Sequence, residues 1–235
     1  MTPYVLAVIH ARGGSKRIPL KNIKPLNGRP LIAWMIKAVL ASKKVSSCLV
    51  STDHPDIIRV SKEAGAYVPF VRPPDISEDI ASELVTQHAV KWVEEHDKKR
   101  VDIVITMQPT TPFIRPSDVD ACVQAVEDGA TSCVSMYPVH ERPEWMFSLD
   151  PEGHAKPFLG KEIKGELGIS QALPKMYMPN GGIYATRRDV MMVEGSIYGS
   201  KMKAHIMPRD RSVDIDDPID FEFADHLART LFKDG

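Results

Sequence analysis

The segment Tyr4-Val-Leu-Ala-Val-Ile9 is apolar without a break and runs straight into a long polar loop that carries no acid. An apolar run of this kind reads as a strand buried on both faces, as in the middle of a parallel sheet. Beyond the loop and Gly28-Arg-Pro30, apolar residues fall at 31, 32, 35, 36, 39 and 40, which is helical spacing with Pro30 near the first turn. Strand, loop and helix in this order open an α/β architecture. The loop carries Arg12, Lys16, Arg17, Lys21 and Lys24, and Gly13 and Gly14 let its backbone approach a ligand closely. Successive main-chain N–H groups beside a cluster of cations make a cradle for a polyanion, although the same composition also suits a mobile basic surface loop. Neither G-x-x-x-x-G-K-[ST] nor G-x-G-x-x-G occurs, which disfavours a P-loop NTPase and a dinucleotide fold.

The rest of the chain keeps alternating. Strands are expected at 47–51, 67–71, 101–107, 132–139, 182–186, 203–207 and 212–216, and helices at 55–64, 82–96, 116–128 and 218–232. Pro69 marks 67–71 as an edge strand. Asp53, at the end of the second strand, is either a ligand-facing acid or the N-cap of the next helix, and Ser82 reads as an N-cap. Gln108-Pro-Thr-Thr-Pro112 puts hydrogen-bonding groups at the carboxyl end of a buried strand, unless it is merely a turn. From 140 to 179 the alternation breaks, and the aromatic and Met residues there need cover that a second subunit can supply. Asp214 and Asp216 would share one face of a strand, a costly pairing unless a cation joins them or water solvates the edge.

A chain of 235 residues suits one large domain with a small excursion. A formal net charge of -1 gives no sign of a nucleic-acid or membrane surface, and no apolar run approaches the ~20 residues of a membrane helix. The N-terminus does not read as a signal peptide, so a cytoplasmic protein is expected. Cys48, Cys122 and Cys133 have neither metal-ligand spacing nor an even count, and read as small buried hydrophobes.

Ala11-Arg-Gly-Gly-Ser-Lys-Arg-Ile-Pro-Leu-Lys-Asn22 resembles the signature A-R-x-x-S-K-R-x-P-x-K-N of the acylneuraminate cytidylyltransferases, the CMP-sialic acid synthetases and their relatives. Further matches are Arg72 with Ala81-Ser82, Gln108-Pro-Thr-Thr-Pro112, Pro179-Asn-Gly-Gly-Ile-Tyr184 and Ser212-Val-Asp-Ile-Asp216, so the likeness spans nearly the whole chain. It implies a mostly parallel, doubly wound sheet like that of nucleotide-diphospho-sugar transferases, with residues 140–179 leaving it to meet a second subunit and close the acceptor site. It implies transfer of CMP from CTP to the anomeric hydroxyl of a nonulosonic acid by a Mg²⁺-dependent homodimer. Ala11, Arg12, Gly13, Gly14, Ser15, Lys16, Lys21, Asn22, Arg72, Ala81 and Ser82 would bind the nucleotide. Gln108, Thr110, Gln171, Asn180 and Tyr184 would place the acceptor. Arg12 and Lys21 would stabilise charge on the phosphates, and Asp214 and Asp216 would hold the metal. A synthetase for an eight-carbon 3-deoxy sugar acid resembles the loop less closely, and a catalytically silent nucleotide-binding regulator would not need Lys21 with two Asp. The likeness breaks at Ser170, where sialic acid synthetases often carry Arg before the Gln; that departure, with Trp145 standing where the family's acceptor pocket begins, points to an acceptor other than plain N-acetylneuraminic acid.

Overall fold

A computed structural model describes residues 2–78, 80–165, 171 and 173–231. In chain order its elements are β1 (Val5–His10), the two-residue strands β2 (Pro25–Leu26) and β3 (Arg29–Pro30), α1 (Leu31–Leu40), β4 (Ser47–Ser51), α2 (Pro55–Glu63), α3 (Ser82–Trp92), β5 (Ile103–Met107), α4 (Pro116–Glu127), β6 (Ser132–Val139), β7 (Phe147–Leu149), β8 (Ala155–Pro157), β9 (Met176–Arg187), β10 (Met202–Ile206) and α5 (Pro218–Leu231). A six-stranded sheet has the order β10-β6-β9-β5-β1-β4. β1 pairs in parallel with β4 and β5, and β10 with β6, while β9 runs antiparallel between β5 and β6. The α/β expectation holds.

Alternation along β1 explains why both sheet faces are covered. Val5, Ala7 and Ile9 pack with Ile32, Met35, Ile36 and Val39 of α1 and with Val119 and Val123 of α4. Leu6 and Val8 point the other way, against Ala89 and Val90 of α3. A third cluster joins Ile18 of the basic loop, Trp34, Phe113 and Ile215 to Phe221 and Leu227 of α5; Trp34 meets Phe113 edge-on at 5.8 Å. That cluster seats the final helix against the basic loop. The three cysteines are buried and unpaired, as small hydrophobes should be.

Several local expectations need correction. Residues 67–71 form no strand. Tyr67 makes one parallel bridge to Leu49, and Pro69, lacking an N–H, ends the ladder there. The N-cap of α2 is His54, whose Nδ1 accepts from the Asp56 amide at 3.2 Å, not Asp53. Ser82 is the first residue of α3, and Ala81 stands at its N-cap without a side-chain bond. The strand expected at 182–186 begins at Met176, so the last residues of the expected excursion belong to the main sheet. Asn180-Gly181 is therefore not a turn; it sits where the register against β6 shifts between Val134 and Met136, with Gly181 at φ 77°. Residues 212–216 belong to no ladder and their burial does not alternate strictly: Ser212 and Ile215 are buried, Val213 is half-buried, and Asp214 and Asp216 are exposed. Residue 232, the expected end of the last helix, lies outside the described residues.

Candidate active site

From β1 the chain goes to β4 on one side, and later to β5 on the other. Such a reversal opens a crevice at the carboxyl ends of the strands. The basic loop leaves β1 into that crevice and is bolted down at several points. The Ala11 amide donates to the Ser51 carbonyl at 3.0 Å, and the Gly13 amide to Asp53 Oδ1 at 2.8 Å. Asn22 Nδ2 donates to the Arg12 carbonyl at 3.0 Å. Gly13 has a steric reason as well, because a Cβ there would lie 2.8 Å from the His54 side chain. Asp53 is thus an anchor of the loop.

The crevice holds a cleft of about 540 Å³. It is lined by Arg12, Ser15, Lys16, Lys21, Asn22, Arg72, Ser82, Gln108, Thr110 and Asp216, all expected from sequence, beside His10 and Val85, which are not. Arg17 also lines it. His10 carries no signal in the motif; only its place at the end of β1, one step before the loop, could have marked it.

Charge in the cleft is predominantly positive, with Asp216 set among the cations. Lys21 Nζ donates to the Ile215 carbonyl at 2.5 Å and stands 3.7 Å from Asp216 Oδ1, while Arg17 Nη1 stands 3.7 Å from Asp216 Oδ2. Burial lowers the Lys21 pKa, and Asp216 and Asp214 work against that shift. Arg72 is buried, donating from Nε to Ser51 Oγ at 3.0 Å and from a terminal nitrogen to the Ser51 carbonyl. Burial brings its guanidinium down to about 10, with Asp53 opposing.

Other expected site residues lie off the cleft wall. Ala11 is buried and Gly14 is exposed with nothing nearby. Gln171 is exposed, and Ser170 lies outside the described residues. Tyr184 is buried in β9, its ring edge-on to Tyr198 at 6.0 Å; desolvation and then Tyr198 push its phenol up to about 12. Asn180 is also buried, and its amide is engaged throughout: Oδ1 accepts from Ser135 Oγ at 2.6 Å and from the Gly182 amide at 3.1 Å, and Nδ2 donates to Ser212 Oγ at 3.1 Å. In this state Asn180 is a strut that ties β9 to the 212–216 segment. A second strut is Asp118, which accepts from His205 Nε2 at 2.9 Å and from both terminal nitrogens of Arg211.

Between these struts, Asp214 is held close to Gly181, where an added Cβ would lie 3.5 Å from its Oδ2. Desolvation raises the Asp214 carboxyl pKa, the Thr110 hydroxyl lowers it, and Asp216 raises it further. Two acids with this mutual strain, two residues apart and reached by Lys21, fit a divalent cation, since Mg²⁺ commonly takes one or two carboxylates and completes its shell with other oxygens and water. Among the described residues the three-ligand group Asp150, Glu152 and His154 lies on the exposed β7–β8 ribbon, not in the cleft.

A parallel-sheet crevice with a cationic loop at one end defines a nucleotide-binding α/β enzyme. The family described as cytidylyltransferase matches residues 6–156, and the chain belongs to that family of nucleotidyltransferases. It is 34% identical to the CMP-N,N'-diacetyllegionaminic acid synthase of Legionella pneumophila over 95% of each chain. It is 33% identical to the N-acylneuraminate cytidylyltransferase of Oncorhynchus mykiss over 94% of this chain and 50% of that protein. The structure of CMP:2-keto-3-deoxy-manno-octonic acid synthetase complexed with CTP superposes with a TM-score of 0.71 at 19% identity, over 96% of this chain and 98% of that one, a likeness of fold.

Proposed function

We propose that the protein transfers CMP from CTP to the anomeric hydroxyl of a nonulosonic acid, releasing pyrophosphate. The observation that carries this reading is the cleft itself, with Arg12, Lys16, Arg17 and Lys21 on one wall and Asp216 between them. Phosphoryl transfer asks mostly for positioning and for charge placed where charge develops. Arg12, Lys16 and Lys21 would hold the triphosphate and the departing pyrophosphate, with Ser15 and the Gly13-Gly14 backbone beside them. Asn22 would face the nucleotide sugar, and Arg72, Ala81 and Ser82 the base. Asp214 and Asp216 would hold Mg²⁺, which when bound draws electron density from the α-phosphate.

Gln108 and Thr110, on the cleft wall, would meet the acceptor, with Gln171 and Tyr184 completing its site. The acceptor's own carboxylate is a sufficient base for its hydroxyl. We assign an acceptor other than plain N-acetylneuraminic acid, of legionaminic type. Arg142 or Lys175 would take the place of the missing arginine: Arg142 reaches the Pro174 carbonyl, next to Lys175, and an arginine fork suits a planar carboxylate. The working form is a cytoplasmic homodimer.

The test is pyrophosphate release with each of CTP, ATP, GTP and UTP, with and without Mg²⁺, against N-acetylneuraminic, legionaminic, pseudaminic and eight-carbon acids. Turnover is expected with CTP and Mg²⁺ only, and with the highest kcat/KM for the legionaminic acid. Equal turnover of all four nucleotides would defeat the cytidylyl reading. A preference for N-acetylneuraminic acid would defeat the acceptor assignment alone.

A further inference from the structure

His10 is the last residue of β1 and faces α3, as Leu6 and Val8 do by alternation. Its Nε2 lies 3.0 Å from Thr86 Oγ1, which in turn lies 2.8 Å from Thr106 Oγ1. Both threonines are buried, so this short relay is screened from water. Thr86 stands one helical turn after Ser82, on the same face of α3. His10 therefore lines the cleft together with Ser82 and Arg72, one step before the basic loop begins. Nδ1 has no hydrogen bond among the described residues, which leaves it available to a ligand. Burial, and then the charge of Arg72, take the imidazole down to about 3, so the ring stays neutral and carries a single N–H.

We propose that His10 is a specificity-determining residue for the pyrimidine: its Nε2–H is donated to Thr86, and its Nδ1 accepts a hydrogen bond from the exocyclic amino group of cytosine. This rests on the reading of the cleft as a CTP site. The chemistry is discriminating because uracil presents a carbonyl oxygen at that position. Two acceptors would then face each other in a partly dehydrated cleft, and a site built to pair a polar group rejects the analogue that cannot pair. Thr86 acts through His10 as a positioning residue, because its hydroxyl oxygen keeps the ring proton on Nε2.

The experiment is equilibrium binding of CTP, UTP and inorganic triphosphate to the intact protein and to its His10→Leu and Thr86→Val variants, with folding checked by circular dichroism. The wild type is expected to bind CTP roughly 10-fold or more tightly than UTP, the scale set by leaving one polar group of the site unmatched. Both variants should lower that ratio several-fold while leaving triphosphate affinity unchanged. A ratio unchanged in a folded His10→Leu variant overturns the proposal and leaves the CTP reading intact. Failure of the wild type to bind CTP overturns both. Should a variant not fold, ¹⁵N histidine spectra of the wild type decide: the Nδ1 signal, unprotonated in the free protein, should shift on adding CTP and stay fixed on adding triphosphate. A protonated Nδ1, or an equal response to both ligands, overturns it.

Discussion

The loop from Ala11 to Asn22 and the described part of the segment from His140 to Pro174 are both long connections between strands, and they are secured in opposite ways. The first is tied to β4 through Ser51, to the next turn through Asp53, and to itself through Asn22, while Ile18 is plugged into a buried cluster with α5. The second contributes the β7–β8 ribbon, which forms its own two-stranded sheet and leaves Leu149 70% and Phe158 66% exposed. An isolated two-stranded ribbon is marginal in water, so those side chains call for a partner surface. Under the proposed function, the contrast makes the nucleotide half of the site preorganised within one chain, whereas the acceptor half would be completed by the proposed dimer.

The largest effect should come from breaking the preorganised half. Lys21→Ala and Asp216→Asn should each lower kcat by roughly 10²-fold or more, the scale for losing a preorganised charge partner of the transition state. Neither change should unfold the protein: Asp216 is exposed, and Lys21 borders the cleft. Steady-state kinetics at saturating CTP and Mg²⁺, with melting curves alongside, make the check; a variant with near-normal kcat removes that residue from the assigned machinery.

Next in size is the strut behind the acidic pair. Burial alone would raise the Asp118 carboxyl, but hydrogen bonds from His205, Arg211 and the Arg115 amide overcome it and hold it at about 2. A carboxyl depressed in the folded state stabilises fully above its unfolded value near 3.8, and that stability is lost as pH falls through the folded value. The contribution is about 2 kcal/mol, from the conversion of about 1.4 kcal/mol per pH unit. The difference in urea midpoint between wild type and Asp118→Asn should therefore be full at pH 6 and shrink between pH 4 and 2. A difference that stays constant to pH 3 would show that the ion pair is not its source.

How much of this is legible in the sequence follows from which forces are local. The buried strands, the basic loop and the cations at 12, 16 and 21 stand out because apolar runs and acid-free loops are local patterns. The Asp217 cap of α5 is equally plain: its carboxylate accepts from the amides of Ile219 and Asp220. What stays hidden depends on partners far along the chain. Asn180 resembles an acceptor-binding residue, but Ser135 and Ser212, more than 30 residues away on either side, occupy its amide. Asp53 has the look of a cap, but a backbone amide 40 positions earlier claims it. His10 gives no sign of itself because nothing in its neighbours reveals Thr86. The run at 67–71 misleads because its β propensity outweighs one proline, whose missing N–H decides the matter at an edge.

The smallest effect tests the exposed half. Phe158→Asp places a charge on a surface that is solvent-facing in one chain and buried in the proposed dimer, where an unpaired charge is costly. The isolated fold should hardly notice, because surface changes usually stay within about 0.5 kcal/mol. The dimer should dissociate, since two-fold contacts repeat each substitution on both sides. Light scattering should then show a monomer that binds CTP as before, with the acceptor KM raised by roughly 10-fold, the factor that corresponds to about 1.4 kcal/mol. The split between the two substrates is the informative quantity. If both KM values rise together, the nucleotide half also depends on association and the contrast between the two loops fails. If the wild type is itself a monomer at high concentration, the exposed ribbon serves something other than self-association. If KM for the acceptor rises while the dimer persists, Phe158 touches the acceptor directly, and the cover for the site comes from the same chain.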